Sequence, residues 1–201
     1  MRSVRFLLGL LLLTASAAIS AQNSPAAAPY TPEYSKDGRL QAPKNYREWI
    51  YLSSGLGMNY NAKVSGMDEP MFDNVFVNPE AYRSFLETGT WPDKTVMVLE
   101  VRGSESKGSI NKSGHYQSTE RMGFEVHIKD SAHFPSKWAF VTFDSDQGDL
   151  VPPAATCYSC HAEHAAVDTT FVQFYPTLLP IAKAKGTFSA AYLKELSAPA
   201  K

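Results

Sequence analysis

The stretch Met122-Gly123-Phe124-Glu125-Val126-His127-Ile128 decides the fold. Met122, Phe124, Val126 and Ile128 fall on one side and Glu125 and His127 on the other, and a period of two is that of a strand with one buried face. Working outward, Phe72 to Val77, Thr95 to Val101 and Trp138 to Phe143 are rich in β-branched and aromatic residues, with Gly, Ser, Asp and Pro clusters between them. They read as three further strands. The connections are too short for repeated crossover helices, which makes the strands antiparallel. Residues 103–114 read as a polar loop. Tyr46, Trp49 and Ile50 recur at i, i+3 and i+4 and Gly55 and Gly57 follow, a helical stripe with a stop. Asn78-Pro79-Glu80 opens a second helix with Tyr82, Phe85 and Leu86 on its apolar side and Gly89 at its end. From Cys157 the pattern is helical again until Pro176. The expected class is α+β: a predominantly antiparallel β-sheet with an N-terminal helix and a C-terminal helix at Cys157.

The chain has 201 residues, which suits one domain. Residues 1–21 hold Arg2 and Arg5, an apolar run from Phe6 to Leu13 and then small residues, the layout of a secretory signal too short to span a bilayer. Residues 22–41, rich in Ala, Pro, Ser and Asn, read as a flexible tether, 42–190 as the domain and 191–201 as a C-terminal tail. The expected location is outside the cytoplasm, the periplasm if the source is bacterial, with no membrane span in the mature chain. At 44% hydrophobic and 19% charged residues the chain has a core to bury. A formal net charge of −1 argues against a nucleic-acid partner.

The two cysteines fall in Cys157-Tyr158-Ser159-Cys160-His161, the Cys-x-x-Cys-His spacing of covalent haem attachment. Two thiols three residues apart can add to the two vinyl groups of one porphyrin, and a helix starting there brings His161 to the iron. One covalent haem c is therefore the expected cofactor, with His161 as metal ligand. A thioredoxin-like pair would follow a strand of a βαβ unit, a zinc site would need about four ligands and crowd His164 in with the rest, and a disulfide would leave His161 unexplained. No methionine follows His161, and Met58, Met67, Met71, Met97 and Met122 read as core or loop. His127 reads as part of a solvated face, or as a polar group near the haem edge or a sixth ligand.

The chain resembles the cytochrome P-460 family, with its relatives the β-sheet cytochromes c′, through Pro43-Lys44-Asn45-Tyr46-Arg47-Glu48-Trp49, Asn78-Pro79-Glu80-Ala81-Tyr82, Thr88-Gly89 with Pro92-Asp93, Gly123-Phe124-Glu125 with Lys129-Asp130-Ser131, Trp138-Ala139-Phe140, and Cys157 to His161 followed by Asp168, Phe171 and Phe174-Tyr175-Pro176. The resemblance spans about residues 37–185. It implies an antiparallel sheet protein, often a homodimer, whose five-coordinate haem c hangs from the proximal histidine, here His161. Members that oxidise hydroxylamine cross-link a lysine to the porphyrin. That position falls on Leu99, and residues 95–100 contain no lysine, which moves the reading towards the c′-type relatives that cap the open iron face with apolar side chains. Leu99 is the expected distal wall, with Phe72 and Phe76 alongside. An apolar cap disfavours dioxygen, which needs a hydrogen-bond donor, whereas nitric oxide binds ferrous iron without one. Asp73 or Glu125, if either faces the cavity, would supply a proton relay. The expected role is to bind or detoxify nitric oxide or another small gaseous or nitrogenous ligand, with a redox partner protein. A hydroxylamine or peroxide oxidoreductase and a six-coordinate electron carrier are the alternatives.

Overall fold

The computed structural model describes residues 29–59 and 69–198. The expected leader (1–21), most of the tether and Met67 lie outside these residues. Six strands form one antiparallel sheet in which each strand pairs only with its neighbours in sequence: β1 (Ile50–Leu56), β2 (Phe72–Val77), β3 (Val96–Glu105), β4 (Tyr116–Lys129), β5 (Trp138–Thr142) and β6 (Asp149–Leu150). Among the described residues four α-helices accompany it: α1 (Pro79–Thr88), α2 (Thr156–His164), α3 (Leu179–Lys185) and α4 (Ala190–Ser197).

The N-terminal helix expected from Tyr46, Trp49 and Ile50 shrinks to a single 3-10 turn, Tyr46–Glu48, and the chain enters β1 at Ile50. Ser53, Ser54 and Gly55 are weak helix formers, and pairing with β2 satisfies their backbone groups. Helix α1 keeps its expected bounds, with Pro79 in the first turn and Gly89 left-handed at the end (φ 75°). Asn78 does not cap through its side chain; its Oδ1 accepts from the Val96 backbone N–H at 2.8 Å and ties α1 to β3. The expected 103–114 loop is shorter, because β3 runs to Glu105 and β4 begins at Tyr116. Residues at both ends of the expected domain are also ordered. Leu40, read as tether, is buried, and α4 occupies much of the stretch read as tail.

Alternation sorts each central strand onto two faces. One buries Val96, Val98, Phe124, Val126, Ile128 and Val141, and is covered by Leu40, Tyr46 and partly buried Tyr30, Tyr34 and Trp49. The other packs Val77 and Met97 with Phe85, Trp91, Val167, Val172 and Leu178 from the helical layer. The helical layer packs down on only part of this second face, and the space left between α2 and the sheet is the cavity described next.

Candidate functional site

Cys157, Cys160 and His161 stand at i, i+3 and i+4 on α2, and this spacing puts all three side chains on one helix face. All three line a cavity of about 530 Å³ between α2 and the sheet, a volume within the range of cofactor and ligand pockets. The two thiols are free rather than joined. Burial, with the charge of Glu163 next, pushes the Cys160 thiol above its ordinary range.

The sheet wall of this cavity is built from register pairs. Met97, His127 and Phe140 form one cross-strand row; Ser53, Val75, Leu99 and Glu125 form the next; Gly55 and Asp73 belong to a third. Phe171, Phe174 and Tyr175 close another side. Leu99 therefore does line the same cavity as the Cys-x-x-Cys-His residues. Phe72 and Phe76 do not. Phe76 points to the opposite face, where its ring meets Tyr46 at 5.5 Å and Tyr51 at 5.6 Å, and Phe72 shares its parity on β2. Strand composition found the right strand and the wrong side of it: Asp73 and Val75 are the β2 residues that reach the site.

The His161 ring is held closely. Its Nδ1 lies 2.7 Å from the Thr169 carbonyl oxygen. A carbonyl can only accept, so Nδ1 carries the hydrogen and Nε2 is left as the free ligand nitrogen. Burial lowers the His161 pKa and the Thr169 bond partly offsets that effect. The imidazole is thus neutral, the form that binds metal. Phe171 packs against it at 4.2 Å and Phe140 at 4.6 Å.

His127 is not on a solvated face. Its ring stacks on Phe140 at 4.1 Å and 12°, lies 4.4 Å from Trp138, and meets His161 nearly perpendicular at 5.1 Å. Burial first, then the neighbouring His161, holds its pKa well below the ordinary value, so it too is neutral. Its Nε2 is 3.1 Å from the Thr169 hydroxyl, so His127 belongs to the packing around His161.

Two carboxylates share the cavity. Glu125 stands directly opposite Leu99 across β3–β4, and Asp73 pairs with Val101, one step further along β3. Burial raises the pKa of both, and the charge of Glu125 adds to the rise at Asp73. Met58 and Met97 also line the cavity, and the Met58 thioether packs so closely over Gly55 that any Cβ there would displace it.

This donor set fits a haem better than its competitors. Among the described residues no three His, Cys, Asp or Glu side chains converge as a metal-ion site, which removes support from zinc. The all-antiparallel sheet leaves no βαβ unit for a thioredoxin-like pair. Two free thiols and an imidazole with its Nε2 uncommitted, on one face of one helix beside a largely apolar cavity, match the attachment chemistry of a c-type haem. Among the described residues no helix is long and apolar enough to cross a membrane. The expectation about the site missed Thr169, whose part is played by a backbone carbonyl and so leaves no side-chain signature. No curated protein matches the chain. The family model described as Cytochrome P460 matches residues 43–172.

Proposed function

The chain belongs to the cytochrome P460 family, and from that premise we propose that it is an exported protein with a single haem c bonded to Cys157 and Cys160. On this reading its iron is held by His161 and its second axial position is open to nitric oxide or a related small nitrogen species. The observation that carries the reading is the convergence of Cys157, Cys160, His161 and Leu99 on one cavity. The haem, when bound, supplies an iron that changes oxidation state and takes up a small ligand. The protein's residues do the rest. Thr169 fixes the tautomer of His161 and so leaves Nε2 as the nitrogen that would hold the iron. Leu99, with no nucleophilic nitrogen at the position where oxidising relatives carry a cross-linking lysine, offers neither a covalent bond nor a hydrogen bond to what enters. Val75 and Leu99 are the apolar side chains of their row and offer no donor, which favours a ligand that binds without one.

Asp73 and Glu125 favour a second reading on the same scaffold. Carboxyls whose pKa is raised towards neutrality can accept protons, and oxidation of a nitrogen species such as hydroxylamine releases protons with its electrons. On that reading the protein is an oxidoreductase that passes electrons to a redox partner. Mass and absorption spectra of the mature protein, before and after reduction and nitric oxide, test the first reading: a covalent haem mass and a high-spin ferrous spectrum that converts on nitric oxide are expected. A bare polypeptide mass would overturn both readings. Sustained reduction of an electron acceptor by hydroxylamine would replace the binding reading with the oxidoreductase.

A further inference from the structure

We propose that the tight turn Val167–Thr170, fastened to the sheet through His127, sets the orientation of the His161 imidazole, which makes Thr169 and His127 positioning residues for the axial bond. The inference rests on the reading of His161 as the iron's ligand and adds to it the means by which the ligand is aimed.

Thr169 is bonded at both ends. Its carbonyl takes the Nδ1–H of His161 at 2.7 Å, and its hydroxyl meets Nε2 of His127 at 3.1 Å. One residue therefore links the helix-borne imidazole to a sheet-borne one. Neither end is free to drift. The turn closes with the Thr170 N–H donating to the Val167 carbonyl at 2.9 Å, and Asp168 at its corner is left-handed, with φ 52°. Thr170, buried, donates from its hydroxyl to the same Val167 carbonyl at 2.8 Å and accepts from the Trp91 indole at 2.8 Å. Lys129 reaches from the end of β4 to the Trp91 carbonyl at 2.7 Å and to Asp168 at 3.2 Å. Those four side chains fix the turn against the sheet. His127 is fixed in turn by its strand register and by stacking on Phe140.

The consequence for His161 is a ring with little freedom about its side-chain torsions. It has a hydrogen bond on one nitrogen and aromatic contacts with His127, Phe140 and Phe171. A carbonyl acceptor on Nδ1–H also makes Nε2 a stronger donor to a metal, and such outer partners commonly change metal affinity or activity 10–100-fold when lost. The carbonyl cannot be removed by substitution, but its anchor can. Thr169→Val preserves shape and carbonyl and deletes the hydroxyl; Thr169→Ser restores the hydroxyl; His127→Phe preserves the stacked ring and deletes Nε2.

The test uses mature haem-loaded protein and reads the iron–histidine stretching band of the ferrous form by resonance Raman. In Thr169→Val and His127→Phe the band is expected to shift to lower frequency and broaden, while Thr169→Ser keeps the wild-type band. A mere packing role would not be rescued by serine. Wild-type bands in both haem-loaded Thr169→Val and His127→Phe would overturn the positioning role while leaving His161 as ligand. If Thr169→Val does not fold, His127→Phe against His127→Gln gives the same decision, since glutamine retains a hydrogen-bonding group. A His161→Ala protein whose ferrous spectrum matches wild type would overturn the underlying assignment instead.

Discussion

On the face of the sheet covered by the N-terminal segment, Glu100 is only 1% exposed and is held by Tyr46, Arg47 and Arg102; on the cavity face, Glu125 lines the cavity wall with no such partners. Burial alone would raise both carboxyls. At Glu100 the hydrogen bonds from Arg102 and Tyr46 and the charge of Arg47 outweigh burial and push its pKa down. Asp130 behaves likewise: it is fully buried, but Lys94, Tyr34 and His133 hold it at about 2. At Asp73 and Glu125 nothing outweighs burial, and both go up. Partners, not depth, decide the sign. The packed face uses its charges to fix structure, and the cavity face leaves its carboxyls without a counter-charge.

The largest effect that would break this comparison is on the cavity face. His161→Ala is expected to abolish the native axial bond while covalent haem persists, and an unchanged ferrous spectrum would remove the site from that face altogether. Next in size, Glu100→Gln is expected to cost about 3 kcal/mol in denaturant melts because Arg47 and Arg102 lose their counter-charge. Glu125→Gln is expected to cost nothing or to stabilise slightly, since it removes an unpartnered charge. Equal losses would mean that the two faces do not differ. The apolar pair Phe76→Ala and Leu99→Ala sharpens the contrast: about 3 kcal/mol of stability from the first with no change in ligand-binding rates, and about 1 kcal/mol from the second with altered rates, by stopped-flow absorption.

The smallest effect concerns pH. Asp130 has a folded pKa of about 2, below its ordinary unfolded value, so it stabilises the fold above about pH 4, and that contribution disappears as pH falls through about 2. Asp73 and Glu125 are raised, so their charged forms are disfavoured by folding and the stability they allow at low pH is lost as pH rises through their folded values. Asp130→Asn is therefore expected to flatten the acid limb of a stability–pH curve and the double variant Asp73→Asn with Glu125→Gln to lift its neutral limb. Both are read from thermal melts across pH.

Much of this architecture is written in local patterns. The alternation through Phe124, Val126 and Ile128 gives β4 its faces, and Asn78-Pro79 with Gly89 gives α1 its ends. Cys157, Cys160 and His161 show their common helix face in their spacing alone. Other parts could not be read this way. The helical stripe of Tyr46, Trp49 and Ile50 runs into the start of β1, and pairing with the partner strand turns Ile50 onward into β structure. Alternation in β2 separates Phe72 and Phe76 from Asp73 and Val75 but does not say which pair meets α2, because that depends on which side the helices cover. Thr169 acts through a carbonyl every residue possesses, and His127 through contacts separated from it by more than thirty residues.

The strictly sequential order of the six strands carries a consequence for how the molecule is made. The sheet is wired entirely within residues 50–150, by pairings between strands adjacent in the chain, the kind of local wiring that keeps contact order low. The segment bearing the two thiols follows the last strand, so one continuous sheet is the jig against which the last quarter of the polypeptide is held.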